Sequence, residues 1–179
     1  MNHSSLSITF PSGKTEQVPF DTPISNLLHH FETTNDEILA VRINNEICSL
    51  DSNVEINCKL EPVLKNTKDG ANIYRRSLCL LLATAAHNLF PASHLLVGHS
   101  LGYGYYYTLD TGTPITQEQI TSLENEMQRL VQQDLPVTTK TISYEDAINL
   151  FEELNLTETR KQLNYIAPQK IRINCIDNF

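Results

Sequence analysis

The run Gly98-His99-Ser100-Leu101-Gly102 has the Gly-x-Ser-x-Gly spacing that places a nucleophilic serine on a sharp strand-to-helix turn in α/β-hydrolases. That chemistry also needs a histidine base and a carboxylate, and both follow the serine along a hydrolase chain. None of the six histidines lies after Ser100, so a hydrolase site cannot be completed. We therefore predict a hairpin turn here, in which Gly102 and Gly104 supply backbone freedom.

A second short pattern, Ser12-Gly13-Lys14-Thr15, matches the end of a phosphate-binding P-loop. A P-loop also needs a glycine five residues before Gly13, where this chain has Ile8, and a helix after the threonine. The residues after Thr15 predict a strand, so the pattern indicates a tight turn.

Histidines and cysteines are the remaining candidates for metal ligands. His87, His94 and His99 share no fixed helical spacing and have no carboxylate or cysteine ligand at suitable spacing, which disfavours zinc. The cysteines contain no Cys-x-x-Cys pair and are interpreted as small buried hydrophobes in a reducing cytoplasm: Cys48, Cys58, Cys79 and Cys175. We predict no metal and no cofactor within this chain.

Aromatic side chains are densest just after the glycine-rich run, where four tyrosines occupy positions 103, 105, 106 and 107. Alternation along a strand places Tyr105 and Tyr107 on one face and Tyr106 on the other. Core packing with hydroxyls at the rim is the favoured interpretation, and a stacking surface for a base or nucleoside is the alternative.

Composition and net charge exclude some classes of function for this protein. The net charge is −8 and the pI is about 5.1, which argues against DNA and against broad binding to a phosphate backbone. Local basic candidates in the first half are Arg75-Arg76, Lys65 and Lys68. No apolar run reaches the roughly 18 residues of a membrane span, and no secretory signal is present. We expect a cytoplasmic protein without a membrane partner.

Two α+β units are predicted to carry these residues. The first covers residues 1–64, and a helix beginning at Pro23 and running through Phe31 interrupts its strands. Its predicted strands are 6–10, 15–18, 38–43, 46–49 and 59–63. The polar stretch 65–71 is the predicted linker.

The second predicted unit, 72–179, begins with a long apolar helix at about 71–89. A capping box formed by Thr116 and Gln119 starts another helix, and Ser143 caps a third. A short helix at 157–163 and four strands complete the unit: 95–97, 103–109, 137–142 and 170–173.

Three ordered motifs in the first 63 residues carry a family resemblance. They are Ile8-Thr9-Phe10-Pro11-Ser12-Gly13, then Pro23-Ile24, then Ala40-Val41-Arg42-Ile43-Asn44-Asn45-Glu46. Together they resemble a TGS domain, a small β-grasp-like module, which implies that fold for residues 1–64.

A second ordered set lies between about residues 73 and 154. Its members are Arg75-Arg76-Ser77, Leu89-Phe90-Pro91, the stretch 98–107, Pro114-Ile115-Thr116 and Ser143-Tyr144-Glu145-Asp146-Ala147. They resemble the second N-terminal, editing domain of threonyl-tRNA synthetase. The resemblance implies an editing-like α+β domain at 72–179, truncated at its C-terminus.

Departures from that family concern its catalytic positions. Where the editing domain has His-x-x-x-His, this chain has Leu80 and Thr84, which can act neither as base nor as ligand. The later Cys-x-x-x-His is absent, because Cys175 precedes Ile176-Asp177-Asn178-Phe179. The resemblance therefore implies a degenerate editing site without catalytic residues.

The same pair of domains, without the His-x-x-x-His residues, resembles the N-terminus of bacterial uridine or nucleoside kinases. Leu80 and Thr84 fit that group better than they fit the synthetase. Our leading hypothesis is a non-catalytic accessory or regulatory module of a uridine-kinase-like protein, which binds a ligand or RNA or docks onto a downstream kinase domain. That downstream domain would bind ATP and magnesium. The alternative is a threonyl-tRNA synthetase-related domain for tRNA binding or for editing of mischarged Ser-tRNA(Thr).

The expected ligands are a nucleoside, a nucleotide or tRNA, and they would enter a cleft between the helix at 73–89 and the strand at 103–109. The candidate lining residues are Arg76, Thr84, His87, His99, Tyr105 and Tyr107. Residual editing would need an altered set consisting of His87, His99 and Cys79.

Overall fold

The computed structural model describes residues 5–102, 104–165 and 169–176, in which helices and strands form the predicted mixed α+β fold. The chain divides into two compact units, Met1–Arg76 and Ser77–Phe179. The division lies inside the long helix α1 (Lys68–Leu89). Within the described ranges, no helix is long and apolar enough to cross a membrane.

The first unit is built on a five-stranded sheet in the order β2-β1-β7-β4-β5. Its strands are β1 (Ser5–Thr9), β2 (Thr15–Pro19), β3 (Thr22–Pro23), β4 (Ile38–Ile43), β5 (Glu46–Cys48), β6 (Asn53–Val54) and β7 (Cys58–Leu64). β1 runs antiparallel to β2 and parallel to β7, whereas β4 runs antiparallel to both neighbours. The short strands β3 and β6 pair separately.

The segment predicted as an ordinary helix is a 3₁₀ helix, Ile24–His30, and a second short one spans Asn35–Glu37. The first ends because Phe31 is already extended, with φ −86° and ψ 139°. Three residues per turn keep Ile24 and Leu27 on the same side, where both are buried in the core of the sheet.

The P-loop-like pattern forms the tight turn between β1 and β2. The amide of Gly13 donates to the carbonyl oxygen of Phe10 at 2.9 Å, and that of Phe10 donates to Lys14 at 2.9 Å. Gly13 has φ +82°, a conformation that side chains disfavour. The prediction of a turn followed by a strand is confirmed.

Helix α1 begins inside the stretch predicted as a linker, so residues 68–71 are helical. The hydroxyl of Thr67 accepts from the amide of Gly70 at 3.1 Å, and the carbonyl of Thr67 accepts from Ala71 at 2.9 Å. Asp69 in the first turn pairs with Arg42 of β4. These local bonds and the ion pair explain why a polar, glycine-containing stretch is helical.

The second unit contains two small ribbons and three further helices. Its elements are β8 (His94–Leu101), β9 (Gly104–Asp110), α2 (Gln117–Gln132), β10 (Val137–Ser143), α3 (Tyr144–Glu153), α4 (Thr157–Leu163) and β11 (Lys170–Ile176). β8 pairs with β9 and β10 pairs with β11, both antiparallel. Helices α1 and α2 share one apolar cluster with the first ribbon, and α3 and α4 share another with the second.

Both predicted helix caps in this unit are confirmed. The hydroxyl of Thr116 accepts from the amide of Gln119 at 3.3 Å, and the amide of Thr116 donates to the Gln119 side chain at 2.8 Å. The hydroxyl of Ser143 accepts from the amide of Asp146 at 3.0 Å. Each bond satisfies a backbone amide that the helix itself leaves unpaired.

Candidate functional site

The glycine-rich run lies in strand β8, and the prediction of a turn along its whole length is wrong. Residues 98–101 are extended, and Gly102, with φ +58°, follows them in the turn. β8 continues to Leu101 because its pairing with β9 resumes at Ser100, after a shift in register between Val97 and Ser100. Ser100 pairs with Tyr105 of β9 and does not lie on a strand-to-helix turn, so the geometry differs from a nucleophile elbow.

One face of this ribbon presents an exposed aromatic ring. Tyr106 is 54% exposed, and its ring stacks on His99 with centroids 5.7 Å apart and planes inclined by 17°. Gly98 lies beneath it: a Cβ atom there would be 3.1 Å from the Tyr106 carbonyl oxygen and 3.4 Å from its Cδ1. Gly98 is therefore needed for close approach of the tyrosine.

The opposite face of the ribbon packs towards helix α1, as the alternation predicts. Tyr105 and Tyr107 are half-buried, with ring centroids 6.4 Å apart in an edge-to-face arrangement. The Tyr107 hydroxyl lies 2.9 Å from Sγ of Cys79 on α1. Burial, followed by this hydrogen bond, raises the pKa of Tyr107 to about 12, so the phenol keeps its proton at neutral pH. Tyr103 lies outside the described residues.

Leu80 and Thr84, the two positions that the resemblance aligns with editing histidines, lie one helical turn apart on α1. Thr84 is only 3% exposed, and its hydroxyl donates to the carbonyl oxygen of Leu80 at 3.0 Å. Leu80 is half-buried. The one polar group at these positions is therefore engaged within the helix, and neither side chain can transfer a proton.

The structure does not bring the six predicted cleft residues to one place. His99 stacks on Tyr106, on the face opposite Tyr105 and Tyr107, because the irregularity after Val97 changes the alternation along β8. His99 therefore does not share a face with Tyr105 and Tyr107, and the cleft stays a prediction for the other residues.

A small cavity of about 70 Å³ lies elsewhere in the second unit, at the C-terminal end of α1. His87 and Ala83 of α1 line one side, residues 91–96 a second, and residues 154–159 a third. Its polar lining combines imidazole, hydroxyl, amide and carboxylate groups from His87, Ser93, His94, Asn155, Thr157, Glu158 and Thr159. This arrangement offers both donors and acceptors to a small polar group.

Sequence reasoning placed His87 in a cleft but missed the partners that surround it. The segment 154–159, at the end of α3 and the start of α4, lines the cavity together with α1, and no local pattern in the sequence indicates that contact. Across the parts of the chain that the structure describes, no three His, Cys, Asp or Glu side chains are grouped so that they could hold a metal ion.

No family model matches the chain, but curated proteins do. The chain is 33% identical over 153 residues to a protein of Enterococcus faecalis, 32% over 146 residues to one of Aquifex aeolicus, and 30% over 149 residues to one of Lawsonia intracellularis. All three are named threonine–tRNA ligase, and the matches cover 83%, 79% and 83% of this chain.

The same matches cover only 23%, 22% and 23% of the three relatives, so the chain spans under a quarter of their length. Over most of its own length, this chain is therefore similar to one segment of threonine–tRNA ligases, the enzymes also called threonyl-tRNA synthetases.

Proposed function

We propose that this chain is a tRNA-binding domain related to threonyl-tRNA synthetase, and that it does not itself hydrolyse mischarged tRNA. The similarity to threonine–tRNA ligases over four-fifths of the chain carries the proposal, because tRNA is the macromolecule in those relatives' name. Within it, residues 1–64 act as a TGS-like β-grasp domain and residues 72–179 as a degenerate editing-like domain.

The kinase-associated module that the sequence alone favoured receives no support from the relatives reported above. They carry the ligase name and no kinase name. The departures at Leu80 and Thr84 led to that hypothesis, but they are equally compatible with a synthetase-related domain that binds RNA without editing it. The tRNA-related alternative therefore replaces the kinase module as the leading function.

The non-catalytic half of the proposal is supported by the state of the candidate groups. The Thr84 hydroxyl is buried and bonded to Leu80, and the Tyr107 hydroxyl is engaged with Cys79. His99 lies on the ribbon face opposite Tyr105 and Tyr107, so it does not assemble with them into an acid–base pair.

Binding is tested by titrating a fluorescently labelled tRNA(Thr) transcript with the protein and recording anisotropy at several salt concentrations. We expect saturable binding that weakens as salt rises, and that is tighter than the roughly 10⁻⁴ M of the weakest non-specific complexes. No binding at low salt would overturn the proposal.

Hydrolysis is tested separately by incubating the protein with Ser-tRNA(Thr) and measuring released serine. We expect the rate to equal that of the protein-free control. Release above that rate, if abolished by His87→Ala or His99→Ala, would overturn the non-catalytic half of the proposal and leave the binding half intact.

A further inference from the structure

The ribbon formed by β10 and β11 carries three of the 13 basic side chains of the chain. Lys140, Lys170 and Arg172 are all exposed, and among the described residues none of them lies within 4 Å of a carboxylate. Seven other cations of the chain are paired: Lys14, Arg42, Lys59, Lys65, Arg129, Arg160 and Lys161.

The register of the ribbon brings two of these cations to one face. Arg172 lies opposite Thr141, and Lys170 lies opposite Ser143, so all four share the face that alternates with the buried one. Thr139 and Asn174 extend this face, with the Thr139 hydroxyl donating to Oδ1 of Asn174 at 2.9 Å. Along β11 the two cations are separated by about 7 Å, the repeat of alternate residues in a strand.

Apolar side chains on the reverse face of the ribbon pack against helices, which leaves the basic face towards solvent. Ile142, Ile171 and Ile173 pack with Phe151 of α3 and Leu163 of α4 in one apolar cluster. This packing fixes the orientation of the ribbon against the two helices. The basic face is therefore presented by a supported element and not by a loop.

The charge of this face contrasts with the rest of the chain. Neither 137–143 nor 170–176 contains an aspartate or glutamate, although the whole chain carries a net charge of −8. The neighbouring carboxylate of Asp146 accepts a hydrogen bond from Ser143 at 2.6 Å and does not pair with Lys170. Two exposed cations on an acid-free ribbon, flanked by hydroxyl and amide groups, are complementary to adjacent phosphates of a polynucleotide.

We propose that the outer face of the β10–β11 ribbon, carrying Lys170 and Arg172, is the surface on which this chain contacts the phosphate backbone of RNA. The inference rests on the proposed function, since it assigns a surface to the binding of tRNA. The Thr141 hydroxyl and the side-chain Nδ2 of Asn174 donate hydrogen bonds to phosphate or sugar oxygens on the same face. These contacts position the RNA without reading its sequence.

The test compares Lys170→Gln/Arg172→Gln with the matched control Lys59→Gln/Lys161→Gln, which removes the same charge from two exposed, ion-paired lysines. Glutamine keeps much of the aliphatic stem, and melting temperatures verify that both variants are folded. The anisotropy titration with tRNA(Thr) is repeated for each protein across a range of salt concentrations.

We expect the ribbon variant to bind about ten- to hundredfold more weakly, with its salt slope reduced by roughly 1.5–2 because two phosphate contacts are lost. The control variant should keep the wild-type affinity and slope. An equal loss in both variants, or no loss in the ribbon variant, would overturn the assignment while leaving tRNA binding established. Absence of binding by the wild-type protein would instead overturn the proposed function.

Polyglutamate, an anionic polymer without phosphate, serves as the competitor in the same assay. We expect it to displace tRNA far less effectively than an unlabelled RNA of equal charge. Equal displacement would show that the surface does not distinguish RNA from an acidic polypeptide, and it would overturn RNA as the occupant.

Discussion

The first and second units differ in how completely they bury their apolar side chains. The first unit has one cluster of 13 buried residues, and it holds the six largest fully buried side chains of the described structure: Phe10, Ile8, Ile24, Leu60, Val41 and Val54. The second unit has two clusters, with four and three buried members. Ten of the 14 large apolar residues that are exposed in the described structure also lie in the second unit.

This contrast indicates that the first unit contributes more to stability, whereas the second unit offers more exposed surface for binding. Burial of apolar surface is the main favourable contribution to folding, and it is concentrated in the first unit. The second unit leaves room for a cavity, an exposed tyrosine and a basic ribbon. The surfaces that carry the proposals therefore belong to the less densely packed unit.

Replacing a core phenylalanine in each unit tests the contrast most strongly. Phe10→Ala should cost about 3–5 kcal/mol of unfolding free energy, because a fully buried ring leaves a cavity in a dense core. Phe151→Ala should cost less, about 2–3 kcal/mol, since the smaller cluster around it can relax more easily. Urea denaturation followed by circular dichroism measures both. Equal losses would break the comparison.

A glycine substitution probes the junction between β7 and α1 in the first unit. An alanine Cβ at position 70 would lie 2.0 Å from the carbonyl oxygen of Leu64, so the start of α1 would have to move. Gly70→Ala should therefore cost at least about 2 kcal/mol, although the same change inside a helix usually stabilises by about 1 kcal/mol.

Gly104→Ala in the second unit is the matched control for that substitution. Its Cβ would be 3.8 Å from the carbonyl oxygen of Leu101, an ordinary contact, so thermal unfolding should shift little. A stabilising effect of Gly70→Ala would contradict the close packing of α1 on β7.

A polar network in the second unit joins α1 to α2 beside their shared apolar cluster. Glu126 accepts two hydrogen bonds from Arg129 at 2.7 Å and one from Asn88 at 2.9 Å. The bonds from Arg129, followed by that from Asn88, lower the pKa of Glu126 from 4.5 to about 2. Because the folded pKa lies below the unfolded value, the stabilisation is complete above pH 4.5 and is lost as pH falls towards 2.

Glu126→Gln should therefore cost about 1 kcal/mol at pH 7, after allowance for solvent screening of the surface pair. The difference from wild type should shrink as urea denaturation is repeated at pH values falling from 4.5 towards 2. Glu124→Gln removes the same charge from an exposed position of the same helix and should show no such dependence. A difference that persists unchanged at low pH would contradict the role of the carboxylate.

The smallest expected effect concerns Thr84, the buried polar residue of α1. Thr84→Val keeps the shape of the side chain and removes a hydroxyl that donates to the carbonyl oxygen of Leu80 within the same helix. We expect a change in unfolding free energy below about 1 kcal/mol and no change in tRNA binding. A marked loss of tRNA binding, with the melting temperature unchanged, would show that this hydroxyl contacts the ligand.

Local signals in the sequence were sufficient to predict the bounds of several helices and strands in both units. Strand β4 at Ile38–Ile43 and helix α4 at Thr157–Leu163 agree with the predicted bounds. The capping box at Thr116 and the cap at Ser143 also agree, because cap bonds join residues only three positions apart. Alternation likewise placed Tyr106 on the face opposite Tyr105 and Tyr107.

Features that depend on distant contacts could not be predicted from those signals. Sequence alone determined the helix caps, the alternation of the strands and the presence of Leu80 and Thr84 at the positions that the resemblance aligns with editing histidines. Only the tertiary structure decided that His99 faces away from Tyr107, that residues 154–159 enclose His87, and that β10 pairs with β11. The physical reason is that propensity and capping act within a few residues, whereas pairing register and packing join segments that are far apart in the chain.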